Sequence, residues 1–216
     1  MRKTSWIFAG LICAALVPAV AGAQRMRDFD DSWFWGVKAG VSTFSPTFGD
    51  SEASATYGIE WLITRSRGGL YVSLDESNIS TTSGVFDPTA ENSFRPVQVD
   101  KLRRVGFAAL AFPKRFGRFL PYAGLGVSVN VVGDASPLST GDETLDDAVF
   151  DRVEERRSLA GFLGMAGMQM QFQKLAVFGQ ASIVPSNSRF LLNDQPLGFF
   201  ELGARYNFSG SREGIR

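Results

Sequence analysis

The last apolar stretch of the chain, Phe199 to Phe208, alternates between two classes of side chain. The first class is apolar and comprises Phe200, Leu202, Ala204, Tyr206 and Phe208, whereas the second comprises Glu201, Gly203, Arg205 and Asn207. A period of two over this length predicts a strand, because successive side chains point to opposite faces of a sheet. A strand of about ten residues with an apolar face and an aromatic end is typical of a transmembrane barrel. The alternative is the edge strand of a soluble sandwich.

Residues 1–23 have the features of a secretory signal peptide. Arg2 and Lys3 precede an apolar core, and a small-residue cleavage site ends at Ala23, with cleavage after Ala21 as the alternative. Cys13, the one cysteine of the chain, lies inside this segment, so we expect no disulfide and no thiolate metal site in the mature protein. We expect residues 24–208 to form one barrel domain and residues 209–216 to be a short C-terminal tail.

The mature chain is close to neutral, and this argues against nucleic-acid binding. The whole chain has 22 basic and 22 acidic residues, and removing Arg2 and Lys3 leaves 20 basic residues. Nucleic-acid binding usually shows as a basic surplus, which this chain lacks. No apolar run of about 20 residues follows the signal, so no membrane-spanning helix is expected there. Because only helices and closed barrels satisfy every backbone group in lipid, a barrel remains as the way to cross a bilayer.

Eight segments of the mature chain are predicted strands. They are Trp33 to Phe44, Ala55 to Thr64, Gly69 to Glu76, Val97 to Phe112, Phe119 to Val132, Ser158 to Phe172, Leu175 to Val184 and the terminal strand. Most place aromatic or branched side chains on one face and small or charged ones on the other, which is a lipid-out, lumen-in pattern. In the fourth strand this register puts Lys101 and Arg103 outside, which requires a position among the lipid headgroups or a bulge. A soluble barrel would show the reverse pattern.

The connections between these strands alternate in length. Short turns are expected at residues 65–68, 113–118 and 173–174, and longer loops at about 45–54, 77–96, 133–157 and 185–197. Short turns on one rim and long loops on the other are typical of the periplasmic and extracellular ends of an outer-membrane barrel.

The terminal strand and the run from Pro121 to Gly126 resemble the eight-stranded bacterial outer-membrane β-barrels of the OmpA/OmpX/OmpW-like group. The resemblance implies an all-β fold, an eight-stranded antiparallel up-and-down transmembrane β-barrel, in the outer membrane of a Gram-negative cell envelope. It also implies outer-membrane lipid, lipopolysaccharide and the barrel-assembly machinery as partners of a monomer. The assembly signal would consist of Phe200, Leu202, Tyr206 and Phe208. In contrast to the usual pattern of the group, eight residues follow Phe208.

The residue inventory argues against an enzyme. The chain contains no histidine, so Ser-His, Cys-His and His-ligated zinc chemistry are excluded. We therefore expect no catalytic residues, no cofactor and no metal. The acidic stretch between Asp134 and Glu155 could offer oxygen ligands to calcium, but it lacks the twelve-residue calcium-loop spacing, and a solvated loop is the preferred interpretation.

Six charged residues are predicted to face the lumen. They are Lys38, Glu60, Asp75, Arg104, Glu201 and Arg205, three of each sign. An eight-stranded barrel has an interior just wide enough for side chains to fill it, and an unpaired buried charge costs several kcal/mol. We therefore expect a paired network in which Lys38 can approach Glu60 or Glu201 and Arg205 finds a partner from across the barrel. The network would act as a structural plug or, alternatively, as an ion-selective path.

Two functions follow from this sequence as hypotheses. The first is a structural anchor or surface-interaction protein with an ion-paired, largely plugged lumen. The second is a porin-like, OmpW-like conduit for small hydrophobic solutes, which would enter at the loop end and leave sideways into lipid. The loop aromatics Phe44, Phe48, Phe86 and Phe94 would then contact a small apolar ligand.

Overall fold

The computed structural model of the chain describes residues 31–48, 50–87, 90, 93–137, 143–185, 190–192 and 195–209. The predicted signal peptide and residues 210–216 of the predicted tail lie outside the described residues. In this part of the chain the structure has nine strands and one helix. The strands are β1 (Ser32–Phe44), β2 (Glu52–Arg65), β3 (Gly68–Phe86), β4 (Phe94–Ala111), β5 (Phe119–Val132), β6 (Ala135–Pro137), β7 (Ser158–Phe172), β8 (Leu175–Val184) and β9 (Leu197–Asn207). The helix is α1 (Glu143–Arg156), and no described helix is long and apolar enough to span a membrane.

The eight long strands form a closed antiparallel barrel, as the sequence predicts. Their order is β3-β2-β1-β9-β8-β7-β5-β4, and pairing of β3 with β4 closes the circle. The terminal strand β9 lies against the first strand β1, with Phe34 opposite Asn207 and Thr43 opposite Gly198. The short strand β6 is added to the outer half of β4 at residues 97–99. Closure leaves each long strand with a partner on both sides over most of its length, which removes the sheet edges.

The two faces of the wall have the chemistry that the alternation predicts. Leu125 and Leu202 point outward and are 71% and 72% exposed, whereas Lys38, Glu60 and Arg205 point inward and are buried. Three outward tryptophans gather near the short-turn end, where the Trp61 ring lies 5.6 Å from Trp33 and 6.0 Å from Trp35. Tryptophan is enriched at membrane interfaces because its ring is amphipathic, so this cluster suits the edge of a bilayer.

The predicted loop at residues 77–96 is wrong, because most of it is strand. β3 and β4 continue as a hairpin above the apolar band, with Val85 opposite Arg95 and Phe86 opposite Phe94. A shift of register between Asn78 and Thr81 marks a bulge in this hairpin. The inward side chains of its upper part are buried, so packing rather than strand propensity extends the two strands. Arg103 stays on the outer face, where it pairs with Glu76 at 2.8 Å.

The predicted loop at residues 133–157 is also more ordered than the sequence indicates. It contains β6 and the 14-residue helix α1, which packs Val149 and Val153 into the buried apolar cluster while its acidic side chains face outward. Two valines four residues apart lie on the same face of a helix, and they attach α1 to the strands beneath it. The helix therefore lies over the long-loop end of the barrel.

The interior of the barrel has three layers. Near the short turns it is filled by apolar side chains, which include Phe34, Leu62, Leu110, Phe112, Leu120 and Ala176. The middle layer contains the six predicted ions. At the long-loop end the interior is largely apolar again, with contributions from Ile79, Val85, Val97, Val99, Val132, Leu159, Val184 and Leu197. The charged layer thus lies between two apolar layers.

Candidate functional site: the ionic layer of the lumen

Four of the predicted ions form one cluster. Lys38 Nζ lies 2.9 Å from Asp75 Oδ1 and 2.9 Å from Glu201 Oε1. Arg104 binds the same two carboxylates, with Nη2 2.8 Å from Asp75 Oδ2 and 3.0 Å from Glu201 Oε1. Each carboxylate therefore bridges two cations, an arrangement that compensates all four charges. Arg104 also stacks on Phe199, with the guanidinium carbon 3.6 Å from the ring centroid.

The other two predicted ions form a second pair, which lies closer to the short turns. Arg205 binds both carboxylate oxygens of Glu60 and donates from Nη1 to Gln169 Oε1 at 2.7 Å. Its guanidinium lies over the Phe178 ring at 3.8 Å, and its side chain is fully buried. Glu60 is on β2, only two strands from β9, so the expectation of a partner across the barrel is wrong.

Polar neutral side chains join the two clusters. Gln180 donates from Nε2 to Glu201 Oε2 at 2.9 Å and to the Tyr71 hydroxyl at 3.0 Å. Its Oε1 accepts from Arg205 Nη2 at 3.3 Å and from the Tyr122 hydroxyl at 2.9 Å. The Tyr71 hydroxyl also accepts from Lys38 at 2.9 Å. The structure therefore brings all six predicted ions into one continuous hydrogen-bonded network.

Sequence reasoning missed these neutral members as part of the site. The alternation does place Tyr71, Tyr122, Gln169 and Gln180 on the inner face, but the charge inventory singles out ions alone. Amides and hydroxyls both donate and accept, so they can satisfy the donors and acceptors that the ion pairs leave over. Their inward register, together with the depth shared with the ions, is the signal that could have identified them.

Glycines make room for the ion pairs. Gly36 lies between Glu60 on one side and Arg205 on the other, and a Cβ there would be 2.9 Å from Arg205 Cγ and 2.9 Å from Glu60 Oε1. Gly58 lies in the same way between Lys38 and Asp75, where a Cβ would overlap Asp75 Oδ1. Each pair therefore reaches over a strand that contributes no side chain at that point.

Three consecutive residues of the β8–β9 loop close the long-loop end. Phe190, Leu191 and Leu192 are buried, and they belong to the same apolar cluster as the inward side chains of the upper strands. The Leu191 amide donates to the Arg156 carbonyl at 3.2 Å, and its carbonyl accepts from the Ser83 hydroxyl. The loop backbone is thus satisfied where it enters the barrel mouth.

The long-loop rim also carries exposed ion pairs. Lys101 Nζ lies 3.1 Å from Asp134 Oδ2, and the hydrogen bond to this carboxylate raises the pKa of Lys101. Arg152 of α1 pairs with Asp87 of the β3–β4 hairpin at 3.3 Å and donates to the Phe86 carbonyl at 3.2 Å. These contacts tie the helix to the hairpin. No group of three or more acidic, cysteine or histidine side chains in the described residues is placed to hold a metal.

A cavity of about 980 Å³ lies on the outer wall rather than in the mouth. Its lining consists mainly of small or apolar outward residues of β4, β5, β7, β8 and β9, such as Ala109, Ala123, Ala166, Ala181 and Phe200. These positions face the surroundings of the barrel, so the cavity is a groove on the lipid-facing surface.

The predicted assembly-signal residues lie on the outer face of β9 and just beyond it. Phe200 and Leu202 point away from the lumen, and the rings of Tyr206 and Phe208 meet edge to face at 4.9 Å. Phe208 follows the last residue of the strand, and its amide still donates to the Trp33 carbonyl at 2.9 Å. The aromatic end of the chain is therefore fixed to β1 at the short-turn end.

A closed wall of eight strands, apolar outside and charged within, defines the class of protein, an eight-stranded transmembrane β-barrel. No family model and no curated protein matches the chain. Among solved structures it is similar to neisserial surface protein A, with 15% identity and a TM-score of 0.57 over 82% of this chain and 97% of the other. It is also similar to the attachment invasion locus protein of Yersinia pestis, with 13% identity and a TM-score of 0.51 over 83% and 99%. The chain thus has the fold of the eight-stranded outer-membrane barrels, which confirms the predicted resemblance at the level of fold.

Proposed function

We propose that this protein is a non-enzymatic outer-membrane barrel that acts as a structural anchor or surface-interaction protein with a plugged lumen. The observation that carries the proposal is the compensated ionic layer between two apolar layers. Three cations and three carboxylates contact one another directly or through Gln180 and Tyr71. Such a layer leaves no uncompensated charge to draw ions or water along the axis.

The energetics favour retention of this plug. Breaking a buried ion pair by removing one partner costs about 3–5 kcal/mol, because the other charge is left buried and unpaired. Opening a path through the layer would separate several such contacts at once. The eight-stranded interior offers little spare width into which the displaced side chains could move.

The chemistry of the wall supports a location in the bacterial outer membrane. Outward leucine, valine and phenylalanine side chains form the lipid face, and the Trp33–Trp35–Trp61 cluster with Tyr206 and Phe208 lies at one edge of it. Lipid and lipopolysaccharide are then the lateral partners of a monomer, and the assembly machinery would read the strand that ends near Phe208. Fractionation of expressing cells tests this location, and recovery in the inner-membrane or soluble fraction would contradict it.

The conduit for small hydrophobic solutes receives less support. The cavity of 980 Å³ is lined by outward residues, and the long-loop end of the lumen is filled by Phe190, Leu191 and Leu192. A groove on the lipid face can hold an acyl chain of the surrounding bilayer without leading anywhere. We therefore rank the conduit second.

Single-channel recording in planar bilayers tests the plug. We expect no stable, large conductance from the unmutated protein, and a leak from the double variant Lys38→Ala/Glu201→Ala, which keeps the net charge but removes the middle of the network. The matched control is Arg103→Ala/Glu76→Ala, an ion pair on the outer face, which should not conduct. A large conductance in the unmutated protein that neither Lys38→Ala nor Glu201→Ala changes would overturn the proposal.

A further inference from the structure

The β8–β9 loop buries three large apolar side chains in succession, which is unusual for a connection between strands. Loops normally run over the surface, because a buried loop must satisfy its backbone groups. Phe190, Leu191 and Leu192 are 1%, 1% and 0% exposed. They fill the long-loop end of a barrel whose wall would be complete without them.

The space that these three residues occupy is an apolar chamber. Its walls come from inward residues of the upper strands, among them Val85, Val97, Val99, Val132 and Leu159, all in the same buried cluster. Val149 and Val153 of α1 contribute from above. The lining is therefore almost free of groups that would demand water or a charged ligand.

The ionic layer forms the floor of the chamber. Phe199 belongs to the apolar cluster and also stacks on Arg104 at 3.6 Å, so it marks the boundary between the two layers. Below it, the carboxylates of Asp75 and Glu201 hold Arg104 in place. The chamber is thus closed toward the short turns and can be a binding pocket without being a passage.

The polar contacts of this loop segment are few. The Leu191 amide bonds to Arg156, and its carbonyl accepts from Ser83, whose hydroxyl lies 3.3 Å from that of Thr47 in the β1–β2 loop. Burial of the three side chains provides the remaining attachment. A molecule of comparable apolar surface could replace that burial, and the freed amide and carbonyl could then bond to water.

We propose that Phe190–Leu192 is an intramolecular occupant of a binding chamber for small, uncharged, apolar molecules, such as hydrocarbons or fused aromatic rings. The segment and the ligand compete for the same space, so the pocket is filled in the free protein and opens when a ligand displaces the loop. Ligand binding thereby exposes a hydrophobic loop at the long-loop surface. This inference does not depend on whether the ionic layer conducts.

Cysteine labelling in lipid vesicles tests the competition directly, because the predicted mature chain has no other cysteine. A cysteine at Leu191→Cys should react slowly with a charged, membrane-impermeant thiol reagent and at least threefold faster with saturating naphthalene. The control is Ser80→Cys on the exposed outer face of the β3–β4 hairpin, which should react rapidly with or without naphthalene. If Leu191→Cys fails to fold, Phe190→Cys replaces it.

The outcomes separate the alternatives. A saturable acceleration confined to the loop cysteine supports the chamber. An unchanged rate up to the solubility limit of naphthalene overturns it, as does an equal acceleration at Ser80→Cys, which would indicate a general loosening of the protein. A protein that conducts in planar bilayers but still shows the specific acceleration would refute the plug and keep the chamber.

Discussion

Replacement of Arg205 by methionine should reveal how dry the lumen is. Arg205 is fully buried, binds Glu60 through two of its nitrogens and contacts Gln169, Gln180 and the Phe178 ring. Methionine keeps much of the apolar stem but leaves the Glu60 carboxylate without its cation. We expect the free energy of unfolding to fall by about 3–5 kcal/mol, the range for stranding one member of a buried pair.

A double variant distinguishes a lost pair from lost packing. Arg205→Met/Glu60→Gln removes both charges, so it should recover most of the stability that Arg205→Met loses. The control is Arg65→Met, since Arg65 is 89% exposed and lies 3.9 Å from the equally exposed Asp31. It should change stability by less than about 0.5 kcal/mol. Urea titration in lipid vesicles, followed by tryptophan fluorescence, measures all three. A loss below about 1 kcal/mol for Arg205→Met would mean that water reaches the pair and would refute the reasoning.

The remaining predictions concern the spacer glycines, the lipid face and assembly. Gly58→Ala should destabilise the barrel by about 1–3 kcal/mol in the same titration, because its Cβ would overlap Asp75, whereas Gly68→Ala, with its nearest neighbour at 3.7 Å, should be nearly neutral. Val127→Arg or Leu202→Arg should cost about 2–4 kcal/mol at mid-bilayer, whereas Asn78→Arg above the apolar band should cost little; a reversed order would mean that the register is wrong. Phe208→Ala or Tyr206→Asp should lower the yield of the heat-modifiable folded form in outer membranes, and unchanged yield and gel shift would contradict this assembly signal.

The lipid-facing part of the wall could be predicted closely from the sequence. For β5, β7 and β8 the predicted bounds agree with the structure at both ends. These strands lie in the zone where hydrocarbon and lumen impose opposite demands on successive residues, so alternation alone determines the face of each side chain. The same constraint put the six ions inside.

The long-loop end could not be predicted in this way, because the lipid constraint stops at about Glu76. Beyond it, Ser77–Ser83 is rich in serine and threonine, which resembles a loop, yet the hairpin continues because Ile79 and Val85 are buried by contacts with distant segments. In α1 the acidic residues conceal a helix whose inward face rests on Val149 and Val153. Burial of Phe190–Leu192 likewise depends on a chamber built by other strands.

The partners within the ionic layer follow from a rule that combines register with glycine. Gly36 lies opposite Glu60 on one side and Arg205 on the other, and Gly58 lies opposite Asp75 and Lys38. An ion on one strand can reach its counterion two strands away only if the intervening inward position has no side chain. Short turns fix the hairpin registers, so a glycine opposite two ions of opposite sign predicts the pair. In a barrel of this width the spacing of inward glycines therefore decides which charges meet, and the charges alone do not.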